Sequence, residues 1–178
     1  MAEKGERGLI NIYDLKTLKK RKVLTTSDSQ SKAYVCMYFS ADNQLLLTQG
    51  GPPDWTLLCW NCSKAKILAS IKCHLGGNTH PQLVTQCTFS NVDPAVVCCT
   101  GYNTLKYYRI VDNSFRPMPA PRVEMRHFKC HTWVKQRDDN VIVGTAAGDL
   151  LLFEVKRSRI YYTGFKAKYY RPGSSWCD

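Results

Sequence analysis

An aromatic residue followed by a polar or charged one recurs along this chain at a nearly constant interval: Tyr13-Asp14, Trp60-Asn61, Tyr108-Arg109 and Phe153-Glu154. The aromatics stand at 13, 60, 108 and 153, so the successive gaps are 47, 48 and 45 residues. Each pair closes a short apolar run. Short strands grouped in units of about 40–50 residues mark propeller blades, in which a four-stranded sheet repeats around an axis. Repetition then sets the architecture, and chains of this kind organise partners rather than transform substrates.

Alternation and turn residues divide each period into strands. The clearest unit places strands at 33–40, 44–48, 55–60 and 66–71, with Ala41-Asp42-Asn43 and Gly50-Gly51-Pro52-Pro53 as turns. A second unit predicts strands at 83–90, 95–100 and 104–111, and the proline-bearing stretch 113–121 predicts a short or irregular fourth. A third unit runs through 128–134, 141–145 and 150–155, with 160–165 as its outer strand. Ahead of these, 8–15 and 21–25 read as the last two strands of a blade whose first half is missing. A β-sandwich also shows short strands with regular turns. Phe39-Ser40 and Phe89-Ser90 before Asp/Asn turns, and small residues at Gly50, Gly101 and Gly144, favour blades.

The chain is thus expected to be all-β, with blades of four-stranded antiparallel sheets in an incomplete ring of about three and a half blades. Its divisions are 1–31, the second half of a blade with a basic end; 32–80, 81–125 and 126–166, one blade each; and 167–178, a basic and polar tail. A closed ring uses about four to eight blades. Either the chain is a fragment or isoform of something longer, or its sheet edges are completed by another chain or further blades.

Hydrophobic residues at 44% and charged residues at 22% of 178 describe a globular chain. No run approaches the roughly 18–20 apolar residues of a membrane span. The opening MAEKGERG has no apolar core, so a soluble, cytoplasmic protein is expected. The nine cysteines follow strands rather than a disulfide framework. Cys59 and Cys62 form a C-x-x-C with Cys73-His74 beyond, but zinc wants paired half-sites, and these two cysteines point to opposite faces of a strand. No metal and no cofactor are expected.

Net charge is +11, and its distribution matters more than its size. Residues 1–32 carry 8 basic and 4 acidic side chains, 156–171 carry 6 and none, and 33–155 carry 11 and 9. The excess lies at the ends, in Lys16, Lys19, Lys20, Arg21 and Lys22, then Lys156, Arg157, Arg159, Lys166, Lys168 and Arg171. Basic ends suit docking on a polyanionic surface such as tubulin, RNA or an acidic protein. Solvated ends without a specific partner are the plainer reading. The possible partner surface comprises Lys19, Lys20, Arg21 and Lys22 together with Lys166, Lys168, Tyr169, Tyr170 and Arg171.

The stretch Cys130-His131-Thr132-Trp133-Val134, then Asn140 to Thr145, then Gly148 to Glu154 resembles a blade of the WD-repeat cilia- and flagella-associated proteins. Arg21 to Leu24 after Ile12 to Leu15, and Leu45 to Leu47 leading through Gly51-Pro52-Pro53 to Trp60, fit the same group. The resemblance spans about 8–160. It implies a non-enzymatic scaffold of motile cilia or flagella, located at the cytoskeleton and the ciliary axoneme. It further implies protein partners among dynein-arm or microtubule-associated proteins and a role in placing or regulating inner dynein arms. It also implies a structural role for His131 and Trp133, a buried histidine joined to a Ser/Thr and an Asp.

No catalytic constellation stands beside this. There is no glycine-rich phosphate loop, no G-x-S-x-G and no H-E-x-x-H. His74, His80, His127 and His131 are scattered, and Asp138-Asp139 diverge in one turn. The alternative to the scaffold is a basic nucleic-acid-binding WD-repeat protein, in which Tyr107-Tyr108-Arg109 or Tyr169-Tyr170-Arg171 would stack on bases. Alternation places one of Tyr107 and Tyr108 in the core.

Overall fold

The structure is a computed structural model that describes residues 2–3, 8–73, 83–120, 127–135, 140–157 and 159–166. Fifteen strands occur among them and no helix. A three-stranded sheet holds β1 (Ala2–Glu3), β2 (Leu9–Tyr13) and β3 (Lys20–Leu24). The next holds β4 (Tyr34–Phe39), β5 (Leu45–Gly50), β6 (Thr56–Asn61) and β7 (Lys66–Lys72). Then come β8 (Leu83–Phe89), β9 (Val96–Tyr102), β10 (Thr104–Val111) and β11 (Ser114–Met118). The last holds β12 (Phe128–Trp133), β13 (Asn140–Thr145), β14 (Asp149–Glu154) and β15 (Arg159–Lys166). Every sheet is an antiparallel meander in chain order. The all-β fold of four-stranded blades is borne out, and the sheets do not close into a ring.

The sheets stack face to face. First strands meet first strands, β4 against β8 and β8 against β12, while the outer strands β7 and β11 meet at the rim. A blade between two others is covered on both faces, so its middle strands are buried at nearly every position, as in β6 and β9. This resolves the Tyr107–Tyr108 pair: alternation sends the two rings to opposite faces, and both faces are interior. Tyr108 joins the core formed with the preceding blade, beside Phe89 and Phe115, and Tyr107 the core formed with the next, beside Phe128, Val143 and Phe153.

The recurrent glycines share a place in the fold. The first strand of each four-stranded sheet carries a bulge, at Tyr34/Cys36, Val84/Gln86 and Phe128/Cys130, and each bulge faces the second-strand glycine Gly50, Gly101 or Gly144. At Gly101 the bulged strand's own backbone leaves no room for a side chain, whereas at Gly50 the space is filled by Ser31 and at Gly144 the nearest atom is the Cys130 sulfur at 3.1 Å. A Cβ on Gly101 would lie 1.8 Å from the Leu83 carbonyl oxygen, and one on Gly50 would lie 2.1 Å from Ser31 Oγ.

The stretch expected to be irregular holds a regular strand. β11 pairs with β10 from Val111↔Ser114 to Tyr107↔Met118. The connection is the two-residue turn Asp112-Asn113, both with positive φ (50° and 58°), the geometry that continues strand twist through a tight hairpin. Pro117 is accommodated because β11 is an outer edge. The prolines had hidden an Asp-Asn turn signal.

Candidate functional site

The aromatic pairs perform two jobs. Trp60 and Phe153 are fully buried and Tyr108 nearly so, so the first member of these pairs anchors a blade to its neighbour. The second member closes the turn after the third strand. Asp14 Oδ1 accepts the amides of Lys16 (2.9 Å) and Thr17 (3.1 Å), and Asn61 Oδ1 accepts the Lys64 amide (2.9 Å) and the Ser63 hydroxyl (2.7 Å). Four residues on, Leu18 and Ala65 take left-handed backbone at φ 55° and 52°. Arg109 instead pairs with Asp93 (2.8 Å), and Glu154 with Arg157 (3.3 Å). Tyr13 is the exception among the aromatics, 39% exposed at the end of β2.

His131, on the first strand of the last blade, sits at the centre of a network between blades. Its Nδ1 lies 2.7 Å from Thr100 Oγ1 and its Nε2 lies 2.7 Å from Thr88 Oγ1. Trp133 Nε1 donates to Thr88 Oγ1 (2.8 Å). The Gln86 side chain completes the clamp, accepting the His131 amide at Oε1 (2.8 Å) and donating to the His131 carbonyl (3.1 Å). A neutral imidazole satisfies the chain of donors: Trp133 to Thr88, Thr88 to Nε2, and Nδ1–H to Thr100. Burial holds the His131 pKa down at about 4, so it stays neutral near pH 7. The histidine meets two threonines of the preceding blade, where the resemblance implied a Ser/Thr and an Asp. Trp60 Nε1 makes a simpler version within its own blade, donating to Thr48 Oγ1 (2.9 Å).

Basic residues of the first turn divide between internal contacts and solvent. Arg21 grips Asp14 (2.5 Å), and this guanidinium, with the Thr17 and Lys16 amides, holds the Asp14 carboxyl at about 2. Lys22 Nζ reaches the carbonyls of Cys62 (2.9 Å) and Ser63, tying the first sheet to the second. Lys16, Lys19 and Lys20 stay exposed. Lys166 ends β15 opposite Asp149. Lys168, Tyr169, Tyr170 and Arg171 lie outside the described residues, as do His74, His80, Asp138 and Asp139. Among the described residues no group of three or more metal-ligating side chains gathers. Cys59 is fully buried and its thiol is pushed up to about 12.

The feature that sequence reading missed lies beside β2. Among the described residues β1 pairs with Ile10 and Leu9 of β2. A cavity of about 590 Å³ opens there, lined by Ile10, Ile12, Tyr13, Leu15, Leu18, Met37, Phe39 and others. Leu15 is 86% and Leu18 78% exposed. Val35, Tyr38 and Phe39 of β4 are also exposed, whereas the equivalent stretch of β8 is covered by its neighbours. The signal was present in sequence as two leucines in an otherwise charged turn. Their exposure depends on how the sheets stack, which local pattern does not encode.

Radially stacked four-stranded meanders with an aromatic third-strand anchor define a WD-repeat β-propeller, here an open arc. The Cps50 (Swd1) β-propeller domain of Myceliophteria thermophila shares the fold with a TM-score of 0.73 at 16% identity, over 94% of this chain and 51% of that one. In sequence the chain is similar to cilia- and flagella-associated protein 57 of Mus musculus, 36% identical over 151 residues, or 84% of this chain. It is also 26% identical over 159 residues to cilia- and flagella-associated protein 44 of Mus musculus. The resemblance read from the sequence is borne out. The chain spans 12% and 8% of the lengths of these two relatives. No protein-family model matches it.

Proposed function

We propose that this chain is a non-enzymatic interaction module of the motile-cilium axoneme, serving the placement or regulation of inner dynein arms. The similarity to two cilia- and flagella-associated proteins supports the setting. The observation that carries the mode of action is the apolar cavity beside β2, with Leu15 and Leu18 exposed at its rim. Its occupant is an apolar segment of a partner protein, with hydrophobic side chains entering the cavity and carboxylates near the exposed Lys16, Lys19 and Lys20.

Apolar area of this kind stabilises a contact by about 25 cal/mol per Å² removed from water. The basic turn adds attraction for an acidic flank. The test is genetic and structural. Tagged chain is expected along axonemes of ciliated cells, and cells lacking it are expected to lose or misplace inner-arm density in tomograms. Diffuse cytoplasmic signal with intact inner arms would contradict the proposal.

A further inference from the structure

Cys36 and Cys87 stand on the first strands of adjacent blades, β4 and β8, and their sulfurs are 3.3 Å apart. Residues so far apart in sequence (51 positions) meet only because the blades stack. We propose that these two cysteines form a reversible disulfide between blades, made by a hydroperoxide.

The pair has the asymmetry such chemistry needs. Cys36 is half-buried on the less covered strand, whereas Cys87 is 1% exposed. The Cys87 thiol hydrogen-bonds to Cys36, which lowers the Cys36 pKa despite burial. Cys87 is correspondingly pushed up, by that same bond and by its own burial. Cys36 is therefore the attacking thiolate and Cys87 the resolving thiol. The sulfurs must close by only about 1.3 Å to reach bonding distance.

In the first step Cys36 sulfur attacks a peroxide oxygen. The S–O bond forms, the O–O bond breaks, and the leaving oxygen departs protonated as water or an alcohol. In the second, Cys87 sulfur attacks Cys36 sulfur. The S–S bond forms, the S–O bond breaks, and hydroxide leaves with the Cys87 proton as water. Two thiols lose two electrons and two protons, and the peroxide accepts both. Cys99, directly across from Cys87 in β9, is the competing partner, but it is fully buried and so is not reached first.

The test uses the full 178-residue chain. Reduced protein is titrated with hydrogen peroxide, blocked with N-ethylmaleimide and mapped by peptide mass spectrometry. The expected result is a Cys36–Cys87 cross-linked peptide as the main product near one equivalent of peroxide, reversed by dithiothreitol. The closed loop should raise Tm by roughly 5–10 °C. Cys36→Ser should abolish both the cross-link and the rise while leaving the reduced Tm nearly unchanged. Because Cys87 is wholly buried, its replacement risks the fold, so the map of the unaltered chain decides. A dominant Cys87–Cys99 link, sulfinic acid at Cys36 with Cys87 still a thiol, or two unreacted thiols would each overturn the proposal.

Discussion

His131 shows how one side chain couples two blades. Its ring, its main chain and the neighbouring indole are all satisfied by Gln86, Thr88 and Thr100 of the preceding sheet. Its pKa is about 4 in the fold against 6.5 for the free side chain, so the folded state binds its proton less readily than the unfolded chain. Stability from this site is complete above pH 6.5, falls as the pH drops, and is gone by pH 4, a loss on the order of 3 kcal/mol. Urea titrations between pH 7.5 and 4.5 should show that decline in the native chain and a flatter profile in His131→Gln. Thr88→Val strands both the Trp133 N–H and the His131 Nε2, at a cost of about 2–4 kcal/mol by chemical denaturation. The histidine itself was visible in the sequence. Its partners were not, because they lie 43 and 31 residues earlier and only blade stacking brings them close.

At the level of strands, the glycines and the third-strand aromatics repeat because each blade repeats one local problem. A small residue stands opposite the bulge in the first strand, where at Gly101 the facing backbone excludes a side chain, and the third strand needs an anchor and a turn closer. Gly101→Ala should therefore destabilise by about 1–3 kcal/mol, since the added methyl meets the Leu83 backbone rather than a movable side chain. Gly51→Ala, whose new methyl would meet nothing nearer than 3.5 Å, should change the midpoint of unfolding very little. Such short-range signals made most strands legible: Phe39-Ser40 and Trp60-Asn61 mark ends that the backbone respects, whereas β9 runs past the expected Thr100-Gly101 end to Tyr102. β11 escaped notice for an equally local reason. Pro117 and Pro119 argue against a strand in general but not against an outer edge entered through Asp112-Asn113.

Across the whole molecule, what the sequence could not convey is where the arc leaves apolar surface uncovered. Period and strand pattern are properties of single blades, whereas the cavity beside β2 forms between the first sheet and β4 and β5 of the second. The same arrangement weakens the nucleic-acid alternative, since Arg21 and Lys22 are committed to Asp14 and to the 62–63 carbonyls. RNA binding by the chain is expected to be weak and without a steep salt slope in filter or anisotropy assays. The central claim is that the apolar cavity beside β2 is the docking site. Its most direct measurement is co-sedimentation of the chain with demembranated axonemes, comparing native protein with Leu15→Glu/Met37→Glu, two exposed positions whose replacement leaves the core intact. Native chain should sediment with the axonemes and the double variant should lose retention by about tenfold or more, with Tm unchanged, as expected for charges placed in an apolar contact. Equal retention of the two proteins, or no retention of the native chain, would contradict the claim.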